Sequence, residues 1–239
     1  DKAASEIEGF AALPLFLSLR AAIRAKVTNL GPSKTAETIT AARRMFEAAG
    51  AFFQPVGLYL VAVGGLSGTG KTALARRIAP GFGRAPGAIH LRSDVERKRL
   101  YRMPEFEPLP GAAYRPEISA IVYRRLRDLA TVALAAGQSV VIDAAYRTPE
   151  ERLDANVAKS AGAHFTGLWL EAPLDVRLER ASRRKYDASD AGPEIVAAQA
   201  REPLGPIAWR RLDASRPIEE VSESARAAIE CGLPPETPK

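Results

Sequence analysis

Residues 61–80 read VAVGGLSGTGKTALARRIAP, an apolar run that breaks into four glycines within seven residues and resumes as a helix-forming stretch at Lys71. Glycine is costly in strand and helix alike, so such a cluster implies a backbone that must turn tightly or touch something closely. Gly65, Leu66, Ser67, Gly68, Thr69, Gly70, Lys71 and Thr72 fit the pattern G-x-x-x-x-G-K-[ST] in full. In that pattern the glycines let successive N–H groups converge on one anion. The helix that follows adds the positive end of its dipole, and the lysine adds a formal charge beside the outer phosphates. The Thr72 hydroxyl suits a magnesium ion. The pattern requires an apolar strand before it and a helix after it, and VGLYLVAVGG (56–65) and the helical stretch 71–79 supply both. The stretch therefore reads as a nucleoside triphosphate cradle, with ATP and Mg²⁺ as the ligands expected.

Outward from the loop, strands and helices alternate. AIHLRSD (88–94), SVVID (139–143), HFTGLWLE (164–171) and IAWRRLD (207–213) read as further strands. Between them, a long helix opens at Pro116 and stops at Gly137, and Thr148-Pro149-Glu150-Glu151 is a capping box that starts a helix over 149–161. Another helix begins at Pro173, and Ile218, Val221, Ala225 and Ile229 mark a last one before Gly232. Near-continuous apolar strands alternating with helices predict an α/β three-layer sandwich, a five-stranded parallel sheet covered on both faces. Upstream, Phe16, Leu19, Ile23, Val27 and Leu30 form one stripe, and Ala36, Ile39, Phe46, Ala49 and Phe53 a second, which together predict an N-terminal helical hairpin. Leu13, Leu15 and Leu17 widen the first stripe beyond what one small partner would cover. The organisation expected is a hairpin over 1–55, the sheet domain over 56–232 and a disordered tail over 233–239.

At 239 residues, 46% hydrophobic and 26% charged, the chain can bury a proper core. No apolar run is long enough to span a membrane. A single cysteine, Cys231, rules out an internal disulfide and fits a reducing, cytoplasmic compartment. The two histidines, His90 and His164, have no metal-site spacing. The net charge of +6 fits phosphorylated small molecules, nucleic acid or an arginine-rich genome alike, so clustering tells more. RLERASRRK (177–185) packs five cations into nine residues.

A guanine-reading Asn-Lys-x-Asp is absent, and Asp143 is followed by Ala144 rather than by the glutamate with which motor ATPases activate water. Transfer of phosphate to a hydroxyl remains, which needs a base near the acceptor and cations around the moving group. Asp94, at the end of the second strand with Arg92, Arg97, Lys98 and Arg99 around it, is the candidate base; its competing role is a helix N-cap. Asp143, at the end of the third strand, is the candidate Mg²⁺-side carboxylate beside Thr72. Arg180, Arg183 and Arg184, at i, i+3 and i+4, share one helix face and predict a phosphate-clamping lid. Two other readings compete: a polynucleotide 5′-hydroxyl kinase, which the basic charge favours and the scarcity of aromatics opposes, and a nucleotide-gated module without turnover, which would need no base.

VAVGGLSGTGKTALAR, LRSDVERKRL, SVVIDAAYRTPEER, FTGLWLEAPLDVRLERASRR, DASDA and WRRLDAS together resemble the bacterial predicted-kinase family of AAA-type P-loop proteins, over about residues 57–230. That family is similar to gluconate kinase, chloramphenicol phosphotransferase, zeta toxin and polynucleotide kinase. The resemblance implies Lys71 and Thr72 as phosphate and Mg²⁺ residues and Asp94 as proton acceptor. It implies Arg97 as a substrate contact, with Tyr114 counted on the same acceptor side, and Arg180 with Arg183 or Arg184 as the lid. Asp213, in the loop after the fifth strand, would border the adenine. In bacteria this domain often follows an aminoglycoside-phosphotransferase-like domain, and LPLFLSLRAAIRAKV resembles the closing helices of such a domain. The chain is thus expected to be the C-terminal part of a two-domain protein, acting on a small hydroxyl-bearing substrate that the motifs do not name.

Overall fold

A strand that must be apolar on both faces belongs in the middle of a covered sheet, and LVAVGG occupies that place. The computed structural model describes residues 2–32, 34–183 and 187–231. Among these the strands are β1 (Tyr59–Gly65), β2 (Ile89–Arg92), β3 (Val140–Asp143), β4 (His164–Glu171) and β5 (Arg210–Asp213). They form one parallel sheet in the order β2-β3-β1-β4-β5. The helices α1 (Lys2–Glu8), α2 (Leu13–Leu30) and α3 (Ala36–Ala51) precede the sheet; α4 (Lys71–Ile78) follows β1 and α5 (Ser93–Leu100) follows β2. Next come α6 (Pro116–Ala135) before β3, α7 (Asp154–Ser160) before β4, α8 (Leu174–Ser182) and α9 (Pro193–Gln199) between β4 and β5, and α10 (Ile218–Cys231) at the end.

Successive strand residues point to opposite faces, which splits the core in two. Leu60, Ala62, Val140, Ile142 and Trp169 pack against α6 and α7, while Val61, Val63, Val141, Leu168 and Leu170 pack against α4 and α10. Every residue of β1 after Tyr59 is buried. This is the three-layer α/β sandwich expected, and β1 lies where the chain crosses from one half of the sheet to the other, beside the open ends of β3 and β4.

Several boundaries differ from the expected ones. The capping box is half made: Glu151 accepts from the Arg147 amide at 2.5 Å and from the Thr148 amide at 3.3 Å, but the α-helix begins only at Asp154. Arg152 donates to the carbonyls of Tyr146 and Leu204, and Asp154 accepts from the buried Tyr146 hydroxyl, so side-chain ties hold 150–152 in a tighter 3-10 turn. β5 is shorter than 207–213 because Trp209 lies across the sheet, its Cγ 2.4 Å from where a Cβ on Gly167 would sit. The same ring and Trp169 each come within 2.9 Å of a Cβ on Gly64. Gly64 is therefore a packing glycine, apart from the loop that follows it. Two helices, α1 and α9, were not read from the sequence.

The helices α2 and α3 pack against each other, with Thr35 capping α3 through the Thr38 amide at 3.2 Å. Their outer stripe stays in solvent: Leu15 and Phe16 are 57% and 62% exposed, and Phe46 is 69% exposed. Leu13 and Leu17 are partly covered. The helix α1 packs instead on α6, where Ile7 joins the core of the sheet. The tail 233–239 lies outside the described residues.

Candidate active site

The loop between β1 and α4 needs its glycines at three places. Gly65, Gly68 and Gly70 have φ of +144°, +85° and +90°, backbone that side chains rarely adopt. A Cβ on Gly68 would stand 2.5 Å from the carbonyl oxygen of Arg177, so α8 presses directly on the loop. Gly70 is the N-cap of α4, and Lys71 and Thr72 are its first residues. The Leu66 carbonyl accepts from the Thr69 hydroxyl at 2.8 Å and from Lys71 Nζ at 3.1 Å. The Thr72 hydroxyl donates to Asp143 Oδ2 at 2.5 Å. A hydroxyl and a carboxylate in that relation can share a hard cation whose remaining ligands are phosphate oxygens and water. Among the described residues no group of three or more His, Cys, Asp or Glu could hold a metal without such help. The donor set fits Mg²⁺ bound together with a nucleotide.

In front of the loop is a cleft of about 180 Å³ that brings together Lys71, Thr72, Asp94, Asp143 and Arg180, with Asp187 at its edge. The expected strand 88–94 ends two residues early, at Arg92, so Asp94 lies in the first turn of α5. The N-cap position of α5 is Arg92, which makes no side-chain capping bond, so Asp94, two residues on, is not the cap residue. Burial and the nearby Asp143 push its carboxyl above the ordinary range, against the pull of Lys71, Arg92 and Arg97. Asp143 moves the other way. Burial alone would raise it, but His90, the Lys71 charge and the Thr72 hydroxyl outweigh that and hold it low. His90 Nε2 stands 3.6 Å from Asp143 Oδ2, near enough for charge though long for a hydrogen bond. Two neighbouring carboxylates with opposed shifts suit two tasks, one holding a cation and one handling a proton.

Of the other residues singled out from the sequence, Ser67, Gly68 and Gly70 line the same cleft, whereas Arg97, Tyr114, Asp213 and Arg183 do not. Arg97 is buried, donates to the Ala113 carbonyl at 2.6 Å and to Ser119 at 3.3 Å, and lies over the Tyr114 ring at 4.9 Å. Tyr114 donates its hydroxyl to Asp190 at 2.6 Å, and burial with that carboxylate pushes the phenol upward. Arg180 donates to the Ala214 carbonyl at 2.9 Å and stands between the cleft and a second hollow of about 240 Å³. Leu170, Ala214, Ile218 and Val221 give that hollow apolar walls, of a kind that suits a flat ring. Asp213 is not among them: it accepts from the Ser215 amide at 3.0 Å and the Ser215 hydroxyl at 2.5 Å, shaping the loop whose Ala214 does the lining. Arg183 is 77% exposed and pairs with Glu179 at 2.8 Å. Arg184 lies outside the described residues.

Four residues at the site were missed or given no role. Arg92, counted only as a neighbour of Asp94, is buried and links Asp187 at 2.5 Å, Glu105 at 3.3 Å and Asp143 at 3.6 Å. Asp187 and Asp190, both inside the DASDA stretch, tie it to the β2–α5 side. Asp190 accepts from Lys98 at 2.7 Å and from the Leu109 amide at 2.9 Å as well as from Tyr114. Gln199, at the end of α9, accepts from the Ser67 amide at 2.9 Å. Gly192-Pro193-Glu194, with proline at the first helical position and an acid after it, was the readable signal for that helix.

The comparisons with known proteins bear on the family and the fold. An uncharacterized protein of Mycobacterium tuberculosis is 29% identical over 212 residues, covering 85% of this chain and 41% of that protein. The chain thus spans about two fifths of the length of the curated relatives it matches first. A cytidylate kinase of Methanopyrus kandleri is 32% identical over 152 residues, 60% of this chain and 72% of that one. Among solved structures, the Mycobacterium tuberculosis APS kinase (TM-score 0.51, 24% identity) covers 74% of this chain and 99% of its own. A sugar kinase from Janibacter sp. (TM-score 0.50, 23% identity) covers 74% and 95%. At such identities the structures speak for the fold, a P-loop kinase fold. With the AAA domain family matching residues 60–205, a span that begins in β1 and includes the loop, both aspartates and α9, the chain belongs to the AAA domain family.

Proposed function

We propose that the protein is an ATP-dependent phosphotransferase that moves the γ-phosphate of ATP to a hydroxyl of a small molecule. The observation that carries this reading is Asp94, a carboxylate in the same cleft as Lys71 and Asp143 and not the cap residue of α5. In this reading the loop amides and Lys71 hold the phosphates, and the base enters the hollow walled by Leu170, Ala214 and Val221. Thr72 and Asp143 would hold Mg²⁺, which would supply positive charge against that developing on the phosphate. Asp94 takes the acceptor's proton as its oxygen bonds to phosphorus and the bridging oxygen departs with ADP. Arg180, between the two hollows, faces charge on the moving group.

A neutral acceptor is favoured over an anionic one. The acceptor side of the cleft holds Asp94 and Asp187, and the arginines beside them, Arg92 and Arg97, are already engaged by Asp187, Glu105 and the Ala113 carbonyl. The similarity to cytidylate kinase favours a second reading, in which the acceptor is a nucleoside monophosphate. A screen with labelled ATP against sugars, aminoalcohols, oligonucleotide 5′ ends and cytidine monophosphate separates the two. Labelled product from a neutral hydroxyl compound is the expected result; product only from the monophosphate overturns the first reading. Calorimetry on Lys71→Ala tests the cradle beneath both. ATP affinity is expected to fall roughly 10- to 100-fold, the weight of a charge-assisted contact, and unchanged binding would remove the phosphate reading.

The exposed stripe of α2 and α3 belongs to the same proposal: it is the surface on which an upstream phosphotransferase-like domain of a longer chain would pack. A longer polypeptide carrying that domain is expected to protect the amides of 13–30 from hydrogen exchange relative to this chain.

A further inference from the structure

The phosphate loop is held from outside by two helices that precede β5. Gly68 lies against the backbone of Arg177 in α8, and the Ser67 N–H donates to Gln199 Oε1 at the end of α9. A backbone amide can only donate, so the carboxamide of Gln199 has one allowed orientation: Oε1 on Ser67 and the NH₂ on the opposite side. The two ends of a carboxamide are ~2.3 Å apart by bond geometry, so Nε2 lies within about 5 Å of the Ser67 nitrogen. Ser67 lines the cleft with Lys71 and Asp94. The ammonium of Lys71 rests on the carbonyl of Leu66, the residue immediately before. The carboxamide and the lysine therefore meet the loop at adjacent residues, and a lysine in this pattern reaches the last two phosphates.

The position of Gln199 is secured on both sides along the chain. Val196, one turn earlier, is fully buried, and α9 packs on α8. Just beyond, Glu202 pairs with Arg147 at 2.7 Å and the Leu204 carbonyl accepts from Arg152 at 2.8 Å, tying the segment to the loop after β3. A donor fixed in advance loses little entropy when its partner arrives.

We propose that Gln199 is a specificity-determining residue for the outermost phosphate: its NH₂ donates to the γ-phosphate of a bound triphosphate and finds nothing to bond in a diphosphate. The inference rests on the ATP reading above, and it predicts discrimination between ATP and ADP rather than tighter binding of both.

Two substitutions separate this role from simple support of the loop. In Gln199→Glu an acceptor for the Ser67 N–H is kept, while the donor becomes a second carboxylate oxygen facing phosphate. In Gln199→Ala both are lost. Titration calorimetry with Mg²⁺ and either a non-hydrolysable ATP analogue or ADP reads the ratio of the two dissociation constants. The expected result is that Gln199→Glu weakens the triphosphate analogue at least tenfold more than ADP, and that Gln199→Ala does so about threefold to tenfold. Melting temperatures report whether either variant has lost its fold, and Gln199→Ala carries the test should Gln199→Glu unfold. If Gln199→Glu binds both nucleotides as the wild type does, Gln199 is only a cap on Ser67 and the proposal fails. Equal weakening of both nucleotides by Gln199→Ala also overturns it, since the loop would then have been distorted as a whole. If Lys71→Ala is likewise without effect, or the wild type binds neither nucleotide, the phosphate reading fails first and takes the inference with it.

Discussion

LRSDVERKRL at 91–100 and RLERASRRK at 177–185 carry four and five cations each, and on paper either could serve a phosphate. The fold treats them in opposite ways. In the first, Arg92, Arg97 and Lys98 are all buried, and each has a protein acceptor: Asp187, the Ala113 carbonyl and Asp190. In the second, Arg177 is buried with Nε and Nη1 unpartnered among the described residues, Arg183 is exposed with only Glu179 of its own helix beside it, and Arg180, on the Ala214 carbonyl, reaches between the cleft and the apolar hollow. The difference is set by acceptors from elsewhere in the chain. Asp190 is 92 residues beyond Lys98 and Asp187 is 95 beyond Arg92.

That contrast can be broken in several ways. The largest expected effect comes from the one residue of the first stretch assigned to chemistry. Asp94→Asn should lower phosphate transfer by about 10²- to 10⁴-fold, the usual weight of a general base, and leave ATP affinity within a few-fold. The carboxyl is raised in the folded state, so its charged form costs stability at neutral pH. The variant should therefore melt at the same temperature as the wild type or higher, and a lower melting temperature with full turnover would make Asp94 structural.

Lys98→Met comes next and should act on stability alone. Removing one partner of a buried pair leaves Asp190 uncompensated, at a cost of about 3–5 kcal/mol, read by urea denaturation. Nucleotide affinity of the folded variant should be unchanged, and a selective loss of ATP binding would move Lys98 into the site. Arg180→Ala should do the reverse. Transfer should fall on the order of 10- to 100-fold, less than for loss of a fully enclosed donor, with denaturation midpoints close to wild type. Equal loss of stability and rate would mean that its bond to Ala214 matters more than any phosphate.

Smaller still is a pH effect far from both stretches. Burial raises the Asp154 carboxyl to about 6, against the help of Tyr146 and Arg127. The fold favours its protonated form, so this group's contribution is present at acid pH and is lost as pH rises through 6. Relative to wild type, Asp154→Asn should gain in melting temperature between pH 4.5 and pH 7.5; a difference that stays flat with pH would contradict the raised value. The smallest effect is expected at Arg183→Ala, within about 0.5 kcal/mol as for most surface changes and within twofold in transfer. A tenfold slower rate would return the lid role to Arg183.

The chain's own order of residues determined the loop and the sheet. Gly65 to Thr72 is a contiguous pattern whose glycines, lysine and threonine act through the backbone that joins them, so its geometry is local and legible. The apolar strands were equally legible, because a strand covered on both faces must be apolar at nearly every residue, as β1 is. Asp94 and Asp143 were found because each follows such a strand. Tertiary structure alone decided the rest. Gly64 is shaped by two tryptophans 105 and 145 positions away, and it only resembles the phosphate glycines beside it. Arg97 and Tyr114 turned inward because Ala113 and Asp190 were there to receive them, and Gln199 reached the loop because α9 packs on α8. A hydrogen bond or ion pair across a hundred residues leaves no periodicity in either segment, so which charges stay free for a ligand is settled only when the chain has closed on itself.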